Sequence, residues 1–131
     1  MSDHPNIVRV KMSLWCLLCY HRGVIEIRQY ADRLGRNPFE RWFEKLDSTI
    51  RARIAIVLTR LEGGNFSSAK GVGGGVNELR LDFGPGYRVY FGRDGEMIVI
   101  LLGGGTKKHQ QADIETARAL WHEYKQQKRE E

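Results

Sequence analysis

With 131 residues, of which 41% are hydrophobic and 28% charged, the chain suffices for one domain with its own core and leaves no room for two. Lys and Arg outnumber Asp and Glu by 21 to 16, a formal net charge of +5, which favours anionic partners such as nucleic acid and says nothing about fold. Two cysteines exclude a disulfide framework and a four-thiolate zinc site, and the apolar run Leu14–Tyr20 is too short to span a bilayer, so the chain reads as a cytoplasmic protein without a membrane segment.

Residues 1–22 show no sustained period and differ in character from the remainder of the chain, so they read as an N-terminal extension, translated from an upstream start or disordered. Cys16 and Cys19 fall within it, in a CxxC pair followed by His21. The spacing misses the contiguous CxxCH of haem attachment, and two thiols in an apolar leader is the plainer reading. The working domain is placed at 23–131.

Val24–Tyr30 is rich in β-formers and predicts the first strand. Asn37-Pro38 opens a helix, with asparagine as cap and proline at the first helical position, and Phe39, Trp42, Phe43 and Leu46 form its apolar face. Asp47 or Ser48 caps a second helix, striped by Ile50, Ile54, Val57, Leu58 and Leu61 and stopped by Gly63-Gly64. The two read as an antiparallel helical hairpin. Residues 63–76 read as a flexible Gly-rich loop that lacks the GK[ST] ending of a phosphate loop.

Three strands come next: Asn77–Phe83, Tyr87–Arg93 across Gly84-Pro85-Gly86, and Glu96–Leu102 across a two-residue Asp94-Gly95 turn. Gly103–Gly105 is expected to end the sheet. A last helix, from Thr106 or His109 to about Gln127, carries Ile114, Ala117, Trp121 and Tyr124 on one side. The fold class is therefore α+β, a βααβββ order in which an antiparallel sheet is packed by a helical hairpin and followed by a C-terminal helix.

Strand parity sorts the meander into two faces. Leu79, Leu81, Phe83, Tyr87, Val89, Phe91, Ile98, Ile100 and Leu102 are expected to form a core wall. Glu78, Arg80, Asp82, Arg88 and Tyr90 collect on the other face, beside Met97, Val99 and Leu101. Two arginines and a tyrosine on a rigid sheet make a platform for phosphate and an unpaired base, since guanidinium binds phosphate bidentately and a phenol ring stacks. The competing reading pairs Arg88 with Asp82, and Arg80 with Glu78 or a helix carboxylate. Lys70 precedes the sheet in the Gly-rich loop. Lys107, Lys108 and His109 stand at the start of the last helix, where cations oppose the dipole but suit an anionic ligand. Solvated surface lysines are the blander account of these.

From about Val24 to Tyr124 the chain resembles the RelE/HigB/ParE superfamily of type II toxins, in the branch of addiction module killer proteins. The carrying segments are Ile25-Glu26-Ile27-Arg28, Asn37-Pro38-Phe39, Val76–Phe91 with its ELR and GPGYRVYF runs, Leu101–Lys107 and Gln110–Ile114. The resemblance implies a RelE-like fold, an endoribonuclease that cleaves mRNA, often on the ribosome, without a metal or other cofactor, and a cognate helix-turn-helix antitoxin. It leaves the oligomeric state open. It matches the basic residues of relatives to Lys70, Arg80 and Arg88, with Arg80 and Arg88 expected to clamp the scissile phosphate and Lys70, Lys107 or His109 to move protons. Tyr90, Glu78 and Lys108 are the expected RNA contacts. Thr106-Lys107-Lys108-His109 departs from the acidic-then-lysine pattern common in the branch. A ParE-like inhibitor of DNA gyrase and a non-catalytic antitoxin-binding remnant are the rival functions.

Overall fold

The computed structural model describes residues 25–130 and the backbone of Ile7–Arg9; the rest of the predicted extension, with Cys16, Cys19 and His21, lies outside the described residues. The elements run β1 (Ile7–Arg9), β2 (Glu26–Tyr30), α1 (Pro38–Glu44), α2 (Ser48–Glu62), β3 (Ala69–Gly71), β4 (Val76–Leu81), β5 (Tyr87–Asp94), β6 (Ile98–Thr106), a 3-10 turn over Lys107–His109, and α3 (Gln110–Arg129). Among the described residues no helix is long and apolar enough to cross a membrane.

Helix boundaries follow local cap chemistry. The Asn37 side chain accepts from the Glu40 amide at 3.0 Å, Pro38 takes the first helical position, and Asn37 Nδ2 donates to Gln29 at 2.7 Å, tying the cap to β2. Asp47 accepts from the Thr49 amide to start α2.

The strands form a mixed sheet in the order β1-β2-β6-β5-β4-β3. The expected purely antiparallel arrangement is corrected at one place, because β2 lies parallel to β6. Helices α1 and α2 carry the chain to the far edge of the sheet, and the meander returns it so that β6 enters beside β2 in the same direction. The expected loop is also corrected. Ala69, Lys70 and Gly71 pair with Leu79, Glu78 and Asn77 as an edge strand, and Gly73, Gly74 and Gly75, all at positive φ, turn the chain back into β4. Three residues are too few to show an alternating pattern.

Both faces of the sheet are covered. Leu79, Leu81, Val89, Phe91, Val99 and Leu101 pack with Phe39, Ile54 and Leu61 under α1 and α2. Tyr90, Ile100 and Leu102 pack with Ile114, Ala117, Trp121 and Tyr124 of α3. The expected faces of the last strand are thus exchanged. Asp94 pairs with Ile98, so the connection is Gly95-Glu96-Met97 and Arg93 meets Val99, an odd register offset that turns every side chain of the strand over.

A bulge between Tyr90 and Phe91 then lets Gly103, Gly104 and Gly105 continue β6 opposite Tyr90, Val89 and Arg88. These glycines prolong the strand rather than end it. A side chain at Gly104 would collide with the Trp42 ring and one at Gly105 with the Asp113 carboxylate, so bare backbone is what admits both neighbours.

α3 is held by aromatic packing and polar ties. Trp121 stacks on Tyr124 with centroids 5.0 Å apart, and Tyr124 meets Tyr30 edge-on. The Tyr124 hydroxyl and the Lys128 ammonium both donate to Asp94. Burial pushes the Asp94 carboxyl up, but these two donors outweigh it and hold the group below the ordinary carboxylate range. A depressed folded value means that this cluster stabilises the fold above the unfolded carboxyl's pKa of about 3.9 and that the stability is lost as pH falls through the folded value. Thermal melts followed by circular dichroism should therefore show a midpoint that drops below about pH 4, with a shallower acid limb in Asp94→Asn.

Candidate functional site

The register of β4 on β5 sets Arg80 directly opposite Arg88, and Glu78 opposite Tyr90; β3 adds Lys70 opposite Glu78. All five side chains therefore belong to the α3 side of the sheet. Like charges in direct cross-strand register repel, so the chain maintains an arrangement that costs stability in the absence of an anion.

Glu78 is completely buried and accepts from three donors: Tyr90 Oη at 3.2 Å, Gln110 Nε2 at 2.8 Å and Arg80 Nε at 3.2 Å. Tyr90 is 1% exposed, and burial, with the Glu78 carboxylate beside it, pushes its hydroxyl above the usual phenol range. The expected RNA contacts through Tyr90 and Glu78 are corrected accordingly: neither the ring face nor the carboxylate is open to a base. Together they form the polar anchor that holds Arg80 and the start of α3 in place.

The two arginines differ. Arg80, pinned through Nε, keeps a side chain 42% exposed. Arg88 is 5% exposed, donates from Nη1 to the Gly86 carbonyl at 2.8 Å, leaves Nε without a partner, and forms no ion pair among the described residues. The predicted pairing of Arg88 with Asp82 is absent, while that of Arg80 with Glu78 is present.

Gly86 gathers the next group. Its carbonyl also accepts the Lys107 amide at 2.9 Å, and a side chain there would touch both Arg88 Nη1 and Lys107 Cβ. Arg88 and Lys107 thus share one corner, where the β4–β5 turn meets the 3-10 turn. Lys108 and His109 are exposed on that same turn, and Lys70 is exposed on the edge strand. Neither Thr106 nor His109 supplies a side-chain cap to the helical turns they precede; the Lys107 amide is satisfied instead by the Gly86 carbonyl and the Gln110 amide by that of Lys107.

Two residues to which sequence patterning gives no role complete the site. Gln110 bonds Glu78, and Asp113 sits against Gly105 with a buried, unpartnered Oδ2. Burial raises the Asp113 carboxyl against a downward pull from His109. The Gly103–Gly105 run was the available signal, since strand glycines mark a close approach.

A groove of about 350 Å³ lies beside the end of β4, lined by Arg53, Arg60, Arg80, Ile56 and Phe83, with Asp82 its one acidic residue. The Arg53 guanidinium lies over the Phe83 ring, 4.6 Å from its centre. Among the described residues no three His, Cys, Asp or Glu side chains converge as a metal-ligand set.

The family described as Phage derived protein Gp49-like (DUF891) matches residues 41–122, well over half of the chain. An uncharacterized protein of Haemophilus influenzae is 43% identical over 86 residues, which is 65% of this chain and 87% of that protein. No solved structure is a significant match. The match spans α2, the meander with Arg80, and the corner where Arg88 and Lys107 meet, and it includes Gln110 and Asp113. The chain belongs to the phage-derived Gp49-like family, within the RelE and addiction-module killer toxin-like group.

Proposed function

We propose that the chain is the toxin of a type II toxin–antitoxin pair, an mRNA endoribonuclease that works without a metal, on free transcripts or on the ribosome, and is neutralised by a cognate helix-turn-helix antitoxin. One observation carries the reading: Arg80 and Arg88 oppose each other across β4 and β5, and Arg88 has no counter-ion among the described residues. A dianionic pentacoordinate phosphorus is the charge such a pair complements.

Cleavage of RNA through its own 2′-hydroxyl needs that hydroxyl deprotonated, the charge on phosphorus stabilised and the 5′-oxygen protonated. The arginines serve the second need, at several kcal/mol of transition-state stabilisation. Lys70, Lys107 and His109 are exposed around them and serve the proton transfers. Lys108 and the groove of Arg53 and Arg60 supply a basic approach for the strand on either side. The Glu78–Tyr90–Gln110 network holds the frame.

The decisive test is induction of the chain alone, followed by growth measurement and primer extension on cellular transcripts. Growth arrest with new 5′ ends that vanish on co-expression of the neighbouring reading frame supports the reading. Arrest with intact transcripts and a DNA-damage response would replace it with gyrase poisoning, and unaffected growth would replace it with a non-catalytic remnant.

A further inference from the structure

Helix α2 carries Arg51, Arg53 and Arg60 against a single carboxylate, Glu62. Arg53, Ile56 and Arg60 recur at three- and four-residue spacing, so they share one side of the helix, turned from the buried Ile54 and Leu61. Neither Arg53 nor Arg60 makes an ion pair among the described residues. Ile56 between them is 54% exposed, an apolar side chain that the core does not use.

This stripe is one wall of the groove of about 350 Å³, and Arg80, Asp82 and Phe83 at the end of β4 are the other. Arg80 stands opposite Arg88, is tied by Nε to Glu78, and keeps its side chain partly in solvent, so it is common to the groove and to the phosphate clamp. The Phe83 ring, itself 5.4 Å from that of Tyr87, holds the exposed Arg53 guanidinium in place from one side. An acidic peptide would pair with the arginines, but Asp82 would repel it and Ile56 would gain nothing from it. A nucleotide suits the whole lining. Its phosphate meets the arginines, its ring meets Ile56 and the Arg53–Phe83 stack, and the edge of its base offers donors to Asp82.

We propose that this groove is a nucleotide subsite: it takes one unpaired nucleotide beside the scissile phosphate, with the phosphate of that nucleotide on Arg60 and Arg80 and its base stacked on the plane of Arg53. The assignment rests on the nuclease reading and deepens it, because it gives α2 a base-binding pocket apart from the groups that bear on the reacting phosphorus. Stacking on a guanidinium plane is tolerant of sequence, since every base has a π-face. The subsite therefore sets how firmly, and in what register, a single strand lies across Arg88.

The test is binding of a fully 2′-O-methylated single-stranded oligoribonucleotide, which cannot be cleaved through its 2′-oxygen, to the full chain by fluorescence anisotropy. Arg53→Ala should weaken binding about tenfold, and Arg53→Lys, which keeps the charge and loses the plane, should weaken it nearly as much. Arg60→Ala should weaken it and lower the salt slope by about one. Arg51→Ala, which removes a charge from the same helix outside the groove, should leave it nearly unchanged. Moving a single abasic residue along the oligonucleotide should find one position at which Arg53→Ala and the wild type bind alike. Wild-type affinity in both groove variants, shown to be folded by circular dichroism, overturns the subsite even where the wild type cleaves RNA. Unchanged RNA affinity with lost inhibition by the antitoxin also overturns it and hands the groove to a protein. Weakened binding in the groove variants of a wild type that cleaves no natural RNA supports the subsite and overturns only the nuclease reading.

Discussion

Arg88→Met should abolish RNA cleavage and yet melt at a temperature equal to or above that of the wild type. The guanidinium is nearly buried, has no carboxylate partner among the described residues, and faces Arg80 across the strands. Replacing an unpaired buried cation by a side chain of similar length removes a desolvation penalty and a repulsion together. Loss of a preorganised donor from a developing oxyanion costs about 10²–10³ in rate, and here a full charge goes with it. Arg88→Lys separates charge from geometry. The ammonium keeps the charge but loses the planar fork and the Nη1 bond to Gly86, so single-turnover cleavage should recover only in small part. If Arg88→Met retains more than half of the wild-type cleavage rate, the phosphate clamp is wrong.

The largest expected effect on stability lies on the same strand, four residues on. Gly92 is buried beneath Trp121, and any side chain there would overlap the indole ring. The ring has nowhere to go, because it is itself buried and stacked on Tyr124. Gly92→Ala should cost about 1–3 kcal/mol by overpacking, and Trp121→Ala about 3–5 kcal/mol by leaving a cavity. Urea melts of both and of the double variant check the contact. Removing the indole relieves the clash, so the double variant should be more stable than the two losses added together, by at least about 0.5 kcal/mol. Strict additivity would mean that the two residues do not share the space the packing gives them.

How much of this was legible beforehand depended on the range of the signal. Asn37-Pro38 and Asp47 announced their helices because a cap is read within three residues. The opposition of Arg80 to Arg88 was not legible: a three-residue turn at Gly84-Pro85-Gly86 would set Arg88 opposite Asp82, whereas the connection takes residues 82–86, an even shift that keeps each residue on its expected face and brings Arg88 opposite Arg80. The Asp94-Gly95 signal misled. The connection takes three residues, and that odd offset sent Val99 and Leu101 to the hairpin helices and Ile100 and Leu102 to α3. Parity then left the polar face looking open, when α3 covers much of it and buries Tyr90 and Glu78. The inward placement of Asp113 stayed invisible because it depends on an absent side chain at Gly105, a relation no periodicity encodes.

The parallel contact of β2 with β6 has a bearing on when the basic corner is assembled during synthesis. Ile27 waits for Val99, and the anchor at Glu78 waits for Gln110, so the first and last parts of the described chain must both be present before the corner at Gly86 is complete. Local helices close in microseconds, whereas pairings between distant segments form late. A nascent chain emerging from the ribosome that makes it thus carries its cations loosely strung, and acquires a working geometry only near the end of synthesis, which leaves an interval for capture by another protein.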